Sequence, residues 1–532
     1  MPRFPAGMPR SGRWNRGVNP LSRNSRCPRT SGYTPEYSRR AGQGIALCYR
    51  QRFPMRADRL PLFLLVAGAL FSAGCATKPR PLADEAARAR IPALGKAAAE
   101  SVEVPDYRAA WARDFGDPRL AELIRVTLEE NPDVSAASAR LRAASAVARI
   151  AGADRKPELS ARASGSRGRS VTETEFPGLG ETVQTRTANR FELGLNLSWE
   201  IDLWGRIADA RQAALFDEQA SRANLAGTRL SLAASLARAW FQATARTAQV
   251  ALAERQLAVA EKSLRATEDR VNRGLLGSLE LSLARSEVES ARSVLETRRR
   301  ERNDAVRLVE SLSGDYPEGR FEPPPDLPVL GTPPPPAIPS AVLARRPDLV
   351  AAEAGILAAD SRVGEARKSL IPTLSLSGNY GTASEDLSDL LDGDFTVWNL
   401  AGNLLQPIFQ GGRLRAQVAR REALLAAAIA DFESALLVAF REVENALDGD
   451  AFLREAAARS FRSAELAQEA ARVGFDRYER GLIELLDVLE LQNRAFDAYD
   501  RAVDLRLAAL LNRVDLYAAL GGGFPDPDSP QP

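Results

Sequence analysis

This chain is written twice. Asn131-Pro132-Asp133 returns as Arg346-Pro347-Asp348, and Pro157-Glu158-Leu159-Ser160 returns as Pro372-Thr373-Leu374-Ser375, each 215 residues later. Gly205-Arg206 returns as Gly412-Arg413, and Asp269-Arg270-Val271-Asn272-Arg273-Gly274 returns as Asp476-Arg477-Tyr478-Glu479-Arg480-Gly481, each 207 residues later. The second copy is therefore eight residues shorter between the proline and Gly-Arg landmarks. Four ordered matches with one deletion imply a duplicated structural unit, and both copies should fold on one plan.

That plan reads helix, strand, loop, strand, long helix, tight turn, helix. In the first copy residues 118–153 are expected to be helical. Residues 190–201 then alternate, with Phe191, Leu193, Leu195, Leu197, Trp199 and Ile201 on one face and Arg190, Glu192, Asn196, Ser198 and Glu200 on the other. This is the period-two pattern of a strand with one apolar and one polar side. In the second copy Leu374 and Leu376 alternate with polar residues, and Phe395–Leu404 supplies the returning strand. Strands of about ten residues suffice to cross a bilayer when tilted. Trp199, Trp204 and Trp398 fall near strand ends, where an interfacial aromatic belt would lie. Alternation alone fits a soluble, half-buried sheet equally well. Thr172–Thr187 and Thr382–Asp394 read as exposed hairpin loops.

After each strand pair comes a proline-free helix, 207–273 and 413–473, on the order of 100 Å long. Leu425, Ile429, Phe432, Leu436, Ala439, Val443 and Ala446 form a heptad stripe, the mark of coiled-coil packing. Each long helix turns at Gly274 or Gly481 and returns as 280–313 or 484–519, about half its length. The missing half matches 118–153 or 341–370, so two short helices placed end to end can flank each long one. The expected organisation is a first repeat at 118–313, a proline-rich linker at 314–340 running outside the helical wall, a second repeat at 341–520, and a tail at 521–532.

The chain has no histidine. Ser–His and Cys–His nucleophile systems and histidine metal sites are thereby excluded, and no catalytic residue, metal site or cofactor is expected. Its three cysteines, Cys27, Cys48 and Cys75, all lie near the N-terminus. From Met55, Arg56 and Arg59 precede an apolar run, Leu60 to Gly74, too short for an ordinary spanning helix. This is a signal-peptide pattern over 55–74. Ser-Ala-Gly-Cys resembles a lipobox, which implies that Cys75 is acylated and anchors the segment 75–117; Ser72 departs from the usual leucine. Residues 1–54 hold 11 arginines and one glutamate, and read as a basic disordered extension or a start codon placed too early. Residues 1–74 carry 13 basic and 2 acidic groups, so the remainder has 58 basic and 67 acidic, a balance of −9. Nothing in that balance points to a nucleic-acid partner.

Four transmembrane strands cannot close on themselves, because open edges in lipid leave backbone groups unpaired. Closure requires other chains. The ordered set Trp111, Phe115-Gly116-Asp117-Pro118, Leu123-Ile124, Asn131-Pro132-Asp133, Ser198-Trp199-Glu200-Ile201-Asp202-Leu203-Trp204-Gly205-Arg206, Arg346-Pro347-Asp348-Leu349, Gln406-Pro407-Ile408-Phe409-Gln410-Gly411-Gly412-Arg413, Tyr478-Glu479-Arg480-Gly481-Leu482 and Leu516-Tyr517-Ala518-Ala519-Leu520-Gly521-Gly522-Gly523-Phe524 resembles the outer-membrane efflux factor family of the TolC and OprM type. The resemblance implies a mainly α protein with a transmembrane β-barrel. Long coiled-coil hairpins and four strands per chain would assemble as a homotrimer into a twelve-stranded barrel and an α-helical periplasmic tunnel. It also implies docking to a periplasmic adaptor protein and an inner-membrane transporter of the RND type.

In that family the second helix turn carries a tyrosine, a glycine and two acidic residues, matched here by Tyr478, Gly481, Asp487 and Glu490. Gly274 holds the corresponding turn of the first copy. By the resemblance Gly274, Tyr478 and Gly481 belong to the tip that meets the adaptor, and Asp487 and Glu490 to an acidic constriction. On spacing alone the two carboxylates are as well explained as solvated groups near a helix N-terminus. Where TolC-like members have an arginine two places after the glycine, this chain has Ile483, and Arg477 and Arg480 are the neighbouring cations. Two other functions share the architecture's features: the exit duct of a type I protein secretion system, and a non-conducting coiled-coil scaffold of the envelope.

Overall fold

The computed structural model describes residue 111 and residues 115–176, 180–331 and 345–522. Cys75, the signal-peptide and extension assignments, most of 75–117, and residues 332–344 and 523–532 lie outside the described residues. Helices α1 (Pro118–Glu130) and α2 (Pro132–Ala153) lead into strands β1 (Glu158–Phe176) and β2 (Gly180–Ile201), then α3 (Arg206–Asn272) and α4 (Ser278–Ser313). The second copy runs α5 (Pro347–Lys368), β3 (Thr373–Ser384), two 3₁₀ turns, β4 (Thr396–Leu405), α6 (Arg413–Glu479) and α7 (Leu485–Ala519).

The expected single helix 118–153 is two. Asn131 stands in extended conformation before Pro132, because a residue preceding proline is driven out of the α region. Its Oδ1 accepts from Asp133 N at 2.8 Å, capping α2, and its Nδ2 donates to the Leu312 carbonyl at 2.9 Å. The second copy repeats the tie: Arg346, also extended before a proline, donates from Nη1 to the Ala519 carbonyl at 3.1 Å. Asn131 and Arg346 are repeat counterparts, and so are Leu312 and Ala519. Each polar side chain thus joins a returning helix end to end with the short helix of its own copy. α2 and α4 pack on one side of α3; α5 and α7 pack between α3 and α6.

The sheet is antiparallel in the order β1-β2-β3-β4, with unbroken register from Glu158↔Ser198 to Phe176↔Gly180. Unbroken register preserves alternation over the whole sheet. One face carries Leu159, Leu193, Leu195, Leu197, Leu376, Tyr380, Trp398, Leu400 and Leu404; the other carries Asn196, Ser198, Ser375, Ser377, Asn379, Asn399 and Asn403. β1 and β2 are much longer than ten residues, so the expected loop Thr172–Thr187 is mostly strand. At the helical end Trp199 Nε1 donates to the Arg155 carbonyl at 3.0 Å, and Trp204 Nε1 to the Pro372 carbonyl at 2.7 Å. Both indoles thereby satisfy their polar edge where strands become helices.

Among the described residues, the central core joins the copies: Trp111, Phe115, Trp240, Phe241, Val306, Leu510, Val514 and Tyr517 are buried together. The linker is held to it by a buried carboxylate. Glu310 accepts from Gly319 N at 2.6 Å, Arg320 N at 2.6 Å and Phe321 N at 2.8 Å, and Phe321 stacks on Trp240 at 5.1 Å. Burial alone would raise the Glu310 carboxyl, but the three amide donors outweigh it and hold it below its ordinary value of 4.5. A depressed carboxylate contributes stability above its unfolded value and loses it as pH falls through the folded one. Protection of the Gly319–Phe321 amides, measured relative to their intrinsic exchange at each pH, is therefore expected to fall only below about pH 4.5. In Glu310→Gln their exchange should be faster by on the order of tenfold at neutral pH. Equal exchange in both proteins at pH 7 would refute the tether.

A second buried charge sits where α6 and α7 cross. Asp450 and Arg513, with side chains 2% and 5% exposed, pair at 2.7 Å, and Arg454 bonds Asp450 at 3.2 Å while reaching the Gly331 carbonyl of the linker at 2.7 Å. Asp450→Ala removes the buried carboxylate shared by Arg513 and Arg454 and is expected to cost roughly 3 kcal/mol of stability, measured by denaturant unfolding. A loss below about 1 kcal/mol would show that Arg513 is rescued by solvent.

Candidate functional site

The end of the helical wall farthest from the strands is made by two turns of the same design. Gly274 and Gly481 have φ of 72° and 75°, the left-handed region that a side chain disfavours. Gly274 N donates to Val271 O at 2.8 Å and Leu275 N to Arg270 O at 2.9 Å; Gly481 N and Leu482 N repeat this with Tyr478 O and Arg477 O. These paired bonds terminate each long helix. The return helices start alike too. The Glu280 carboxylate accepts from Gly277 N at 3.0 Å, and the Asp487 carboxylate from Glu484 N at 3.2 Å.

The turns are bound to each other by a buried polar ladder. Ser263 and Thr267 of α3, Tyr478 of α6 and Gln492 of α7 are all buried. Thr267 gives its proton to the Ser263 carbonyl at 2.8 Å, so in the 2.9 Å contact with Tyr478 it is the tyrosine hydroxyl that donates. Gln492 Nε2 donates to Ser263 Oγ at 3.1 Å. Arg270 closes the ladder. Its guanidinium lies 4.8 Å from the Tyr478 ring centroid and donates to the Tyr478 carbonyl at 3.0 Å. Around them Ala284, Phe475, Leu485, Val488 and Leu489 form an apolar core.

Tyr478 is thus wholly interior, and it links the two copies. Asp487 and Glu490 are exposed on the adjacent turn of α7, away from it. Ile483 packs against the apolar core. Neither Arg477 nor Arg480 has an ion-pair partner among the described residues; the cation that crosses between turns is Arg270, the repeat counterpart of Arg477. Sequence reasoning also passed over four exposed leucines. Leu275 and Leu279 on the first turn, and Leu482 and Leu486 on the second, are 59–68% exposed. Their signal was present, since each pair occupies the same place in its copy.

The outer edges of the wall are unfilled. α6 contacts α5 and α7 on one side, and around the helix about 180° from that side stand Leu437, Phe452 and Leu466, 71%, 73% and 68% exposed. An 18-residue stretch of α6 is strongly apolar, yet almost none of it is buried within the chain. On the opposite edge lie α2 and α4, and the sheet likewise ends on β1 and β4.

The profile described as outer membrane efflux protein matches residues 123–315 and 338–522, close to the two copies. The pyoverdine export outer membrane protein OpmQ of Pseudomonas aeruginosa is 34% identical over 472 residues, covering 86% of this chain and 96% of that protein. The outer membrane protein OprJ of the same species is 32% identical, covering 78% and 86%. Among solved structures, the CmeC outer membrane channel of Campylobacter jejuni superposes with a TM-score of 0.74 at 25% identity, covering 81% of this chain and 92% of that one. On its duplicated helix-and-strand plan and these matches, the chain belongs to the outer membrane efflux protein family.

Proposed function

We propose that three copies of this chain close into one passive exit duct of a tripartite efflux pump. The observation that carries this reading is the pair of complementary open edges. β1 and β4 can pair between copies, and the bare apolar side of α6 can receive α2 and α4 of the next copy, as α3 receives them within the chain. Such a head-to-tail contact generates a ring. The apolar sheet face then meets hydrocarbon in the outer membrane, the Asn- and Ser-rich face lines the lumen, and the long helices extend the duct through the periplasm.

The tips are the docking end. Gly274, Gly481 and the exposed leucines would meet the periplasmic adaptor, which in turn joins an inner-membrane transporter of the RND type. Tyr478 keeps the two turns together rather than touching the adaptor itself. Asp487 and Glu490 would form an acidic mouth in the ring, and Asp487 also caps α7. Cys75 would carry the lipid anchor, testable by metabolic labelling with a palmitate analogue. Relatives bear names as different as pyoverdine export and cation efflux, so cargo choice is assigned to the transporter and not to the duct. Energy comes from that partner, and the duct itself catalyses nothing.

Planar-bilayer recording tests the channel and its mouth together. The purified trimer should give discrete, cation-preferring conductance, and Asp487→Ala with Glu490→Ala should reduce that preference by about threefold or more. Conductance with unchanged selectivity would remove the acidic ring; absence of any conductance would favour the scaffold.

A further inference from the structure

The arginines of the β1–β2 hairpin divide by face. Arg186 and Arg190 fall on the luminal side, where Arg186 pairs with Glu385 at 3.0 Å and Arg190 pairs with Glu192. Arg167 and Arg169 fall on the opposite side, in line with Leu159, Ala161, Ala163 and Gly165. Both are exposed, and among the described residues neither has an ion-pair partner. Outward-facing, unpaired guanidinium groups on a membrane strand are costly inside hydrocarbon, so their height matters.

The register fixes that height. From Ile201, the outward row climbs through Trp199, Leu197, Leu195 and Leu193 to Phe191, which stands opposite Gly165. Ten residues of strand at about 3.3 Å each, tilted by about 40°, span about 25 Å, the height of an apolar barrel band. Arg167, opposite Asn189, comes one outward position above Phe191, and Arg169, opposite Thr187, one above that. The two guanidinium stems leave the strand about 7 Å apart. With Ile201 at the hydrocarbon edge nearest the helices, they emerge just beyond the far edge, on the outward side, at the end remote from the periplasmic helices.

We infer that Arg167 and Arg169 form an outward clamp for the phosphate groups of a phosphorylated glycolipid in the outer leaflet. A guanidinium offers two parallel donors that fit phosphate oxygens, and the headgroup layer supplies the anions that the chain itself withholds from these two residues. Each copy contributes one clamp around the barrel rim. The inference rests on the transmembrane placement of the strands.

Native mass spectrometry of the trimer, released from nanodiscs doped with bisphosphorylated lipid A, its dephosphorylated form or phosphatidylglycerol, tests it. The wild-type trimer should retain bisphosphorylated lipid A about tenfold better than the dephosphorylated form and better than phosphatidylglycerol. Arg167→Gln with Arg169→Gln should erase the preference, the double Lys variant should keep part of it, and Arg186→Gln on the luminal face should keep all of it. Equal retention of the phosphorylated and dephosphorylated lipids by the wild type overturns the clamp, as does an undiminished preference in the double Gln variant. Should that variant not assemble, the wild-type comparison decides alone. Equal retention of phosphatidylglycerol would overturn the assignment to a glycolipid. A wild-type protein that never enters nanodiscs would instead remove the barrel reading beneath it.

Discussion

A single carboxylate on the bare side of α6, introduced as Leu437→Glu or Leu466→Glu, is expected to abolish the trimer while leaving each chain folded. Both leucines are about 70% exposed within the chain, so the substitution disturbs no intrachain packing. In the ring the same positions would be covered by α2 and α4 of the neighbour. Each leucine buried there contributes about 2 kcal/mol. An unpaired buried carboxylate costs several kcal/mol more, and three interfaces multiply the effect. Sedimentation in detergent and the heat-sensitive trimer band on gels would report the loss, with Leu437→Met retaining the trimer. A stable trimer carrying Leu437→Glu and Leu466→Glu together would show that this face lines the lumen or meets solvent, and the proposed closure would fall.

Most of the fold was legible because the chain repeats. The offset of 207 residues pairs Gly274 with Gly481 and Gly205 with Gly412, and every one of these glycines is left-handed in the structure. The heptad stripe on α6 proved to be core: Ala439, Val443 and Ala446 pack with Leu349, Leu516 and Ala519. What escaped was the outer half of the β1–β2 hairpin. Alternation is written by a difference between the two sides of a strand. Beyond the apolar band that difference fades, and Ser, Thr, Gly and Arg on both sides read as loop. The break at Asn131 had a signal in Pro132, which the helical periodicity on either side obscured. Helix α6 runs on through Gly474 to Glu479, past the expected 473, and the residues beyond the glycine are held by the tip core, where Phe475 and Tyr478 are buried.

The site was legible in its turns and not in its contacts. Gly274, Gly481 and Tyr478 could be read from one copy laid on the other. The ladder Gln492–Ser263–Thr267–Tyr478 could not, since its links between helices join residues more than 200 positions apart whose spacing encodes nothing about who meets whom. Arg477, one of the two cations beside Ile483, makes no ion pair among the described residues. Its counterpart Arg270 reaches across because α3 lies beside α7, which carries Gln492 and lies beside α6. A duplicated sequence shows which positions are equivalent; only the packing order of the helices shows which of two equivalents has a neighbour within reach.

If the joint between the two turns also holds the mouth of the proposed duct shut, Arg270→Ala should open it more than any substitution at Arg480. Arg270 makes a charge-assisted hydrogen bond to the Tyr478 carbonyl and stacks on its ring, and the two together are worth about 2 kcal/mol per chain. At about 1.4 kcal/mol per factor of ten, this shifts the closed-to-open balance roughly thirtyfold in each chain. The expected result in planar bilayers is a larger mean conductance with an unchanged trimer. Arg270→Lys should fall between the two, because an ammonium keeps the charge but not the planar fork. Thr267→Val tests the other half of the ladder: it leaves the buried Tyr478 hydroxyl without its acceptor, an expected loss of about 1–3 kcal/mol on the closed side. If Arg270→Ala conducts like the wild type while Arg480→Ala opens the pore, the link between the two turns is not what holds the tip shut, and the lock must lie between copies of the chain.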